Sequence, residues 1–441
     1  MGNCANSPLD NPDNPGVSPN EQVILPESPV LKHRLSAFAV EARRNSRLAV
    51  SGVLGEAKQS GGDRKLTSLG GLENETELHE LGIGFVCQKG MKPLSPNQDD
   101  FSVIRIKTND GGSVGLYAVY DGHGPGGHQV SNFVQKTIPE VLKEEADLAS
   151  DPSSALSRAF QRAQTLLERE AMQKGFDVQM SGCTATVVLH IDFLSGDFTE
   201  EGVAAASQAM AVSAEATGEK AEEGGEGTDG VIGKMPTGTR DEPGKRFLGV
   251  LGGGKRKPGG AGGTKTNARG RLVIGHVGDS RAVLINKGKK KGEFKARDLT
   301  KDHNCKREDE RKRCQDAGAE LRQDDADLPL RVFLPGKDFP GFAVTRAIGD
   351  TVGTMLGVSC SPEISCVDIL DDSVCLLICS DGVWEFMTSD EASSFLMKES
   401  DGGRPEKVQE ACKQLAQEAW NRWIKEEGDI VDDITTVGVF L

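Results

Sequence analysis

No stretch of this 441-residue chain is apolar over a run long enough to span a bilayer, and no secretory leader is visible. Its ten cysteines are scattered and include no Cys-x-x-Cys pair, which removes the dithiol and zinc-ribbon spacings. A reduced intracellular compartment is expected, with the thiols packed as small hydrophobes. A basic excess is also missing: the net charge of −15 argues against nucleic acid as a partner. Phosphate-binding loops are absent as well. The Gly-rich GVLGGGKRKPGG has no Gly-Lys-Ser/Thr ending. Cys305 and Arg311 match a Cys-x5-Arg spacing, but the intervening KREDE is acidic and has no glycine to cradle an anion.

Hydrophobic residues reach only 37% while glycine numbers 54, so a folded portion diluted by disordered segments is expected. Residues 1–80 read as a Pro/Asn/Ser-rich and basic extension. Within it, Val30 to Val50 carries Leu31, Leu35, Phe38 and Ala42 on one helical face among five Lys and Arg residues. That pattern suits an anionic membrane surface. The chain begins MGNCANS, which offers Gly2 for myristoylation and Cys4 for palmitoylation, although Asn6 stands where Ser or Thr is usual. A membrane-associated protein, otherwise cytoplasmic, is the expectation.

Residues 81–441 read as one domain, interrupted over 196–270 by low-complexity sequence that is acidic in its first half and basic in its second. Loop-closure entropy grows slowly with length, so Thr184–Ile191 and Leu272–Ile285 can pair as strands across it. Strands come in runs and helices in pairs, which argues an α+β fold with packed sheets.

Acids recur where strands begin or end. Leu116 to Tyr120 stops at Asp121-Gly122-His123. Asp279 sits between two apolar strands, Asp381 ends another with Glu385 four residues on, and Asp99, Asp100, Asp432 and Asp433 precede strands. Singly, each reads as a turn or cap residue. Together, carboxylates with few imidazoles select hard cations such as Mg²⁺ or Mn²⁺, and a few carboxylates can hold two such ions.

NQDD, YDGHG, SGCTA, VGDSRAVL, LTKDH, FAVTRAIGD, CSDGVWE and DDITTV occur in that order. With them the chain resembles the metal-dependent Ser/Thr protein phosphatases of the type 2C (PPM) family. The resemblance implies two packed antiparallel β-sheets flanked by pairs of α-helices, an αββα sandwich. It implies two catalytic Mg²⁺ or Mn²⁺ ions bridged by Asp121. The Gly122 carbonyl, Asp381 and Asp432 would complete the sites, with Asp99 acting through bound water. Asp279 and Glu385 would serve a third, weaker ion. His123 would be the general acid, and a water bridged between the ions would attack phosphoserine or phosphothreonine in a protein substrate. GKDFPGFAVTRAIGD and the DHNCKREDE region would form a flap. Many members bind phosphate through an Arg where this chain has Leu94; Lys89 and Lys92 are the substitutes on offer. A monomer is expected. A fold kept as a scaffold, or an enzyme held off by its N-terminus or insertion, are the competing readings; the survival of Asp121, Asp381, Asp432 and His123 speaks against the first.

Overall fold

The apolar run Leu116–Tyr120 has a strand on either side and a core on either face. It belongs to a sheet of β2 (Asp99–Lys107), β3 (Ser113–His123), β4 (Gly182–Cys183), β5 (Ala185–Asp192), β6 (Gly270–Val277), β12 (Ile348–Gly349) and β13 (Glu363–Ile369). A second sheet runs β1 (Ile83–Gln88), β15 (Ile434–Phe440), β14 (Ser373–Cys379), β7 (Arg281–Lys287) and β8 (Phe294–Asp298) across its width. Every pairing in both is antiparallel. The structure, a computed structural model, describes residues 81–92, 95–108, 112–192, 268–323 and 329–441. Gly2, Cys4, the Val30–Val50 segment, Leu94 and all but the last few residues of 196–270 lie outside them.

Strand alternation sorts β3 between two cores. Leu116, Ala118 and Tyr120 point to the layer covered by α1 (Gly127–Glu144) and α2 (Pro152–Lys174). Tyr117 and Val119 point inward, where Leu284, Leu376, Ile378 and Val437 of the other sheet meet them. Beyond the second sheet lie α5 (Ser389–Glu399) and α6 (Val408–Glu427), which bury Leu396, Cys412, Leu415 and Ala419. Burying one such large aliphatic side chain stabilises by about 1.5–3 kcal/mol. The result is the expected αββα sandwich.

Local signals set the helix limits. Asp151 caps α2 by accepting from the Ser154 amide at 3.1 Å, and Pro152 opens it. Thr388 and Glu391 form a reciprocal capping box on α5. Leu272–Ile285 is not one strand: it breaks at Gly278-Asp279-Ser280, so β6 and β7 belong to opposite sheets. Asp99 and Asp100 begin β2 rather than precede it, and Asp381 opens the short helix α4 (Asp381–Trp384) rather than ending a strand.

The segment expected as a flap is a separate small unit. It comprises α3 (Glu308–Asp316) and a three-stranded sheet of β9 (Glu320–Arg322), β10 (Arg331–Phe333) and β11 (Pro340–Phe342) over a core of Cys305, Cys314, Val332, Phe342, Leu356 and Val358. Glu310 of α3 is fully buried and clamps it. Its carboxylate accepts from Arg313 at 2.6 and 2.7 Å, from Arg346 at 2.7 Å and from the Thr345 hydroxyl at 2.6 Å. Burial opposes that charge, but the guanidinium groups and hydroxyl outweigh it and hold the carboxyl far below its ordinary range. Glu310→Gln leaves two guanidinium groups facing a neutral amide. Urea unfolding should show a loss of about 3 kcal/mol; an unchanged midpoint would mean that the clamp does not hold this unit.

Candidate metal centre

The strand ends converge at one end of the sandwich. In the β2–β3 ladder Asp99 stands directly opposite Asp121. At the end of β14, the Ser380 hydroxyl donates to Asp99 Oδ2 at 2.7 Å and accepts from the Thr435 amide of β15 at 3.0 Å. One hydroxyl thus ties the carboxylate of one sheet to the backbone of the other, immediately before Asp381. Asp433 accepts from the amides of Gly90 (2.7 Å) and Gln98 (2.8 Å). It fixes the chain on both sides of the cleft, while its neighbour Asp432 reaches toward the cluster.

Like charge collects here. Burial pushes the Asp121 carboxyl well above its ordinary value, and Asp381, Asp99, Asp432 and Asp279 push it further. Asp381 is raised by burial, then by Asp432 and Asp279, and is close enough to Asp121 for a shared hydrogen bond. Burial and Asp433 raise Asp99. Asp279 is raised by burial, then by Asp302, with the charge on His123 working against it and that of Glu385 with it. Asp100, facing the other way, is lifted to about 7 by burial. Uncompensated buried carboxylates are costly, and Lys92 is the cation paired with the cluster among the described residues, through Asp432.

Oxygen donors under mutual repulsion fit a hard divalent cation. Asp99, Asp121, Asp381 and Asp432 are the residues that could hold it, and Gly122 directly follows Asp121 on the same strand. Gly122 has no room for a side chain: a Cβ there would lie 2.3 Å from the Gly127 carbonyl oxygen. Asp279 and Glu385 stand beside this group, with Asp302 next to Asp279. A tighter trio lies elsewhere, in His276, His303 and Glu363, whose ligand atoms come within 4.8 Å of one another. It suits an ion poorly. The two rings stack at 4.3 Å and 17°, so one ion cannot lie in both ring planes, and Glu363 already takes His303 and Arg307.

His123, on the same side of β3 as Asp121, places Nε2 2.7 Å from Asp350 Oδ2. Burial alone would lower the pKa of its ring, but the Asp350 carboxylate outweighs burial and raises it. The structure brings together the sequence-predicted Asp99, Asp121, Gly122, His123, Asp279, Asp381, Glu385 and Asp432. Asp302 and Ser380 carried no predicted role, and Asp350, expected in the flap, instead follows β12 of the main sheet and reaches His123. Asp350 and Ser380 were visible as an acid and a hydroxyl at strand ends within two of the quoted motifs. Of the lysines, Lys92 bonds Asp432 rather than standing free for phosphate. Burial opposes its charge, yet Asp432, Asp433 and Asp121 raise its pKa. Lys89 is half-buried just past β1 and has no ion pair with this cluster among the described residues.

The family model described as Protein phosphatase 2C matches residues 97–192 and 263–427. The chain belongs to the protein phosphatase 2C family. It is accordingly a protein serine/threonine phosphatase. Similar proteins include the "Probable protein phosphatase 2C 35" of Arabidopsis thaliana, 25% identical over 88% of this chain and 90% of that protein. The "Probable protein phosphatase 2C 72" of the same plant is 28% identical over 84% of this chain and 88% of that one. Among solved structures, the serine-threonine phosphatase 2C of Toxoplasma gondii aligns with a TM-score of 0.54 at 15% identity, covering 81% of this chain and 94% of that one, which shows a shared fold.

The type 2C centre makes a stability prediction. A carboxyl whose folded pKa is raised above its unfolded value penalises the fold; the penalty is full above the folded pKa, shrinks as pH falls below it, and is gone once pH is below the unfolded value. In EDTA, the melting temperature should therefore rise as pH drops from about 8 to 6. Asp121→Asn should raise the metal-free value at pH 8 by roughly 3 °C and remove the stabilisation that Mn²⁺ gives the parent. A variant destabilised in EDTA and still stabilised by Mn²⁺ would contradict this reading of Asp121.

Proposed function

We propose that this phosphatase hydrolyses phosphoserine and phosphothreonine in protein substrates using two Mg²⁺ or Mn²⁺ ions. Asp121, the Gly122 carbonyl, Asp381 and Asp432 would hold them, Asp99 would act through water, and Asp279 and Glu385 would serve a third, weaker ion. The observation that carries this is the convergence of mutually repelling carboxylates from both sheets, Asp99 buried and the others half-buried, with Asp99 opposite Asp121 in register. When bound, such ions lower the pKa of water and draw charge from phosphoryl oxygens. The protein's own groups do the rest. His123 holds a proton beside the cluster for the leaving seryl or threonyl oxygen. Lys92, paired with Asp432 in this structure, would offer a point charge to the phosphate if a cation occupied that carboxylate.

The test is hydrolysis of a phosphothreonine peptide by the full chain across Mn²⁺ and Mg²⁺ titrations, with EDTA as control. Activity should require metal and be lost in Asp121→Ala and Asp381→Ala, and His123→Ala should lower kcat by roughly 100-fold or more. A folded protein inactive at every metal concentration would leave the scaffold reading standing.

For the N-terminal extension we propose membrane attachment, through a myristoyl group on Gly2 supported by a palmitoyl group on Cys4 or by the basic Val30–Val50 segment. One acyl chain binds only marginally, so a second signal is needed. Gly2→Ala should move the protein from the membrane to the soluble fraction of cells; equal membrane retention would defeat the idea.

A further inference from the structure

Asp350 carries two costs at once. It is a non-glycine residue at φ 47°, in the left-handed region, and its side chain is fully out of solvent. A left-handed non-glycine residue costs on the order of 1 kcal/mol or more. Its Oδ1 is buried and has no hydrogen-bond partner among the described residues, so the contact of Oδ2 with His123 Nε2 at 2.7 Å is what engages the carboxylate. A buried carboxylate with one partner is a poor stabilising device.

The surrounding backbone is built to keep it there. β4 bridges β3 and β12: Gly182 lies opposite both His123 and Gly349, and Asp350 follows directly. The Asp350 amide donates to the Ser181 carbonyl at 3.0 Å, and the Gly349 amide donates to Gln164 Oε1 at 2.7 Å. Gly182 leaves the gap through which the two side chains meet. A Cβ at that position would lie 2.6 Å from the Asp350 carboxylate and 2.7 Å from His123 Nε2.

We infer that Asp350 is the positioning residue for His123, fixing the imidazole so that Nε2–H is donated to the carboxylate and Nδ1 is the nitrogen that carries the proton for the leaving group. The inference rests on the reading of His123 as proton donor. As the P–O bond to serine or threonine breaks, its electron pair stays on the oxygen, which takes the proton from Nδ1. The proton lost by the attacking water restores the ring. Asp350 touches neither substrate nor phosphate in this step; it holds the ring's orientation and tautomer.

Leaving-group dependence tests this in the full chain at saturating Mn²⁺. A phosphothreonine peptide needs a protonated leaving oxygen, whereas 2,4-dinitrophenyl phosphate, whose leaving phenolate is stable, does not. Asp350→Asn should lower kcat on the peptide by roughly 10- to 100-fold, leave KM nearly unchanged, and alter the aryl phosphate rate less than about threefold. His123→Ala should show the same contrast, and the double variant should be no worse than His123→Ala alone. Equal losses on both substrates for Asp350→Asn, or full peptide activity, would overturn the role of Asp350 while leaving His123 in place. If His123→Ala itself shows no contrast, the proton-donor reading falls and this inference with it. A measurement on the parent guards against a misfolded variant: the imidazole ¹⁵N shifts of His123 should show a protonated, hydrogen-bonded Nε2, and an unprotonated Nε2 would overturn the assignment.

Discussion

Repulsion between carboxylates is the constraint on which this structure turns. Asp121, Asp99, Asp381 and Asp432 are brought into one cleft, and their charges make Asp121, Asp99 and Asp381 harder to ionise. Nothing in the packing of the sandwich asks for this. The two sheets would close as well over neutral side chains, and more stably without a divalent cation. The fold therefore accepts a local penalty that a bound cation would remove, so that metal occupancy and folding stability would be two readings of one equilibrium.

The cleft is held open by ladders rather than by loops. Register puts Asp99 opposite Asp121, and the same β3 strand passes through Gly122 to His123. From the other sheet, Ser380 and Asp433 reach across to the Asp99 carboxylate and to the amides of Gly90 and Gln98. Because these side-chain anchors start from residues at the ends of paired strands, the clustered carboxylates are tied to the core. The clamp on Glu310 extends it to Arg346, four residues before Asp350.

Much of this was legible in the residues. The uninterrupted apolar run Leu116–Tyr120 before Asp121 fits a buried strand, and the spacing of Leu156, Phe160, Ala163 and Leu167 matches the buried face of α2. Acids at strand ends located most of the cleft. What periodicity does not carry is which strand end meets which. Asp350 is distant from His123 in the chain and reaches it only through the short β4 bridge, a two-residue strand with no pattern to read. The turn at Asp279 showed in the sequence, but not that the strands on its two sides belong to different sheets, since both are equally apolar. Lys92 showed its charge in the sequence, but its ion pair depends on how the segment before β2 folds back over Asp432.

The pairing of β5 with β6 fixes where the long connection between them leaves the domain. Ala185 meets Val277 near the cleft, and seven residues later Asp192 meets Gly270. At about 3.3 Å per residue, that exit lies roughly 25 Å from the metal-binding end. Both strands are held by a complete ladder up to that edge. A cut in the connection would leave two pieces still joined by the β5–β6 pairing, and a domain fused there would start a full strand length away from the clustered carboxylates.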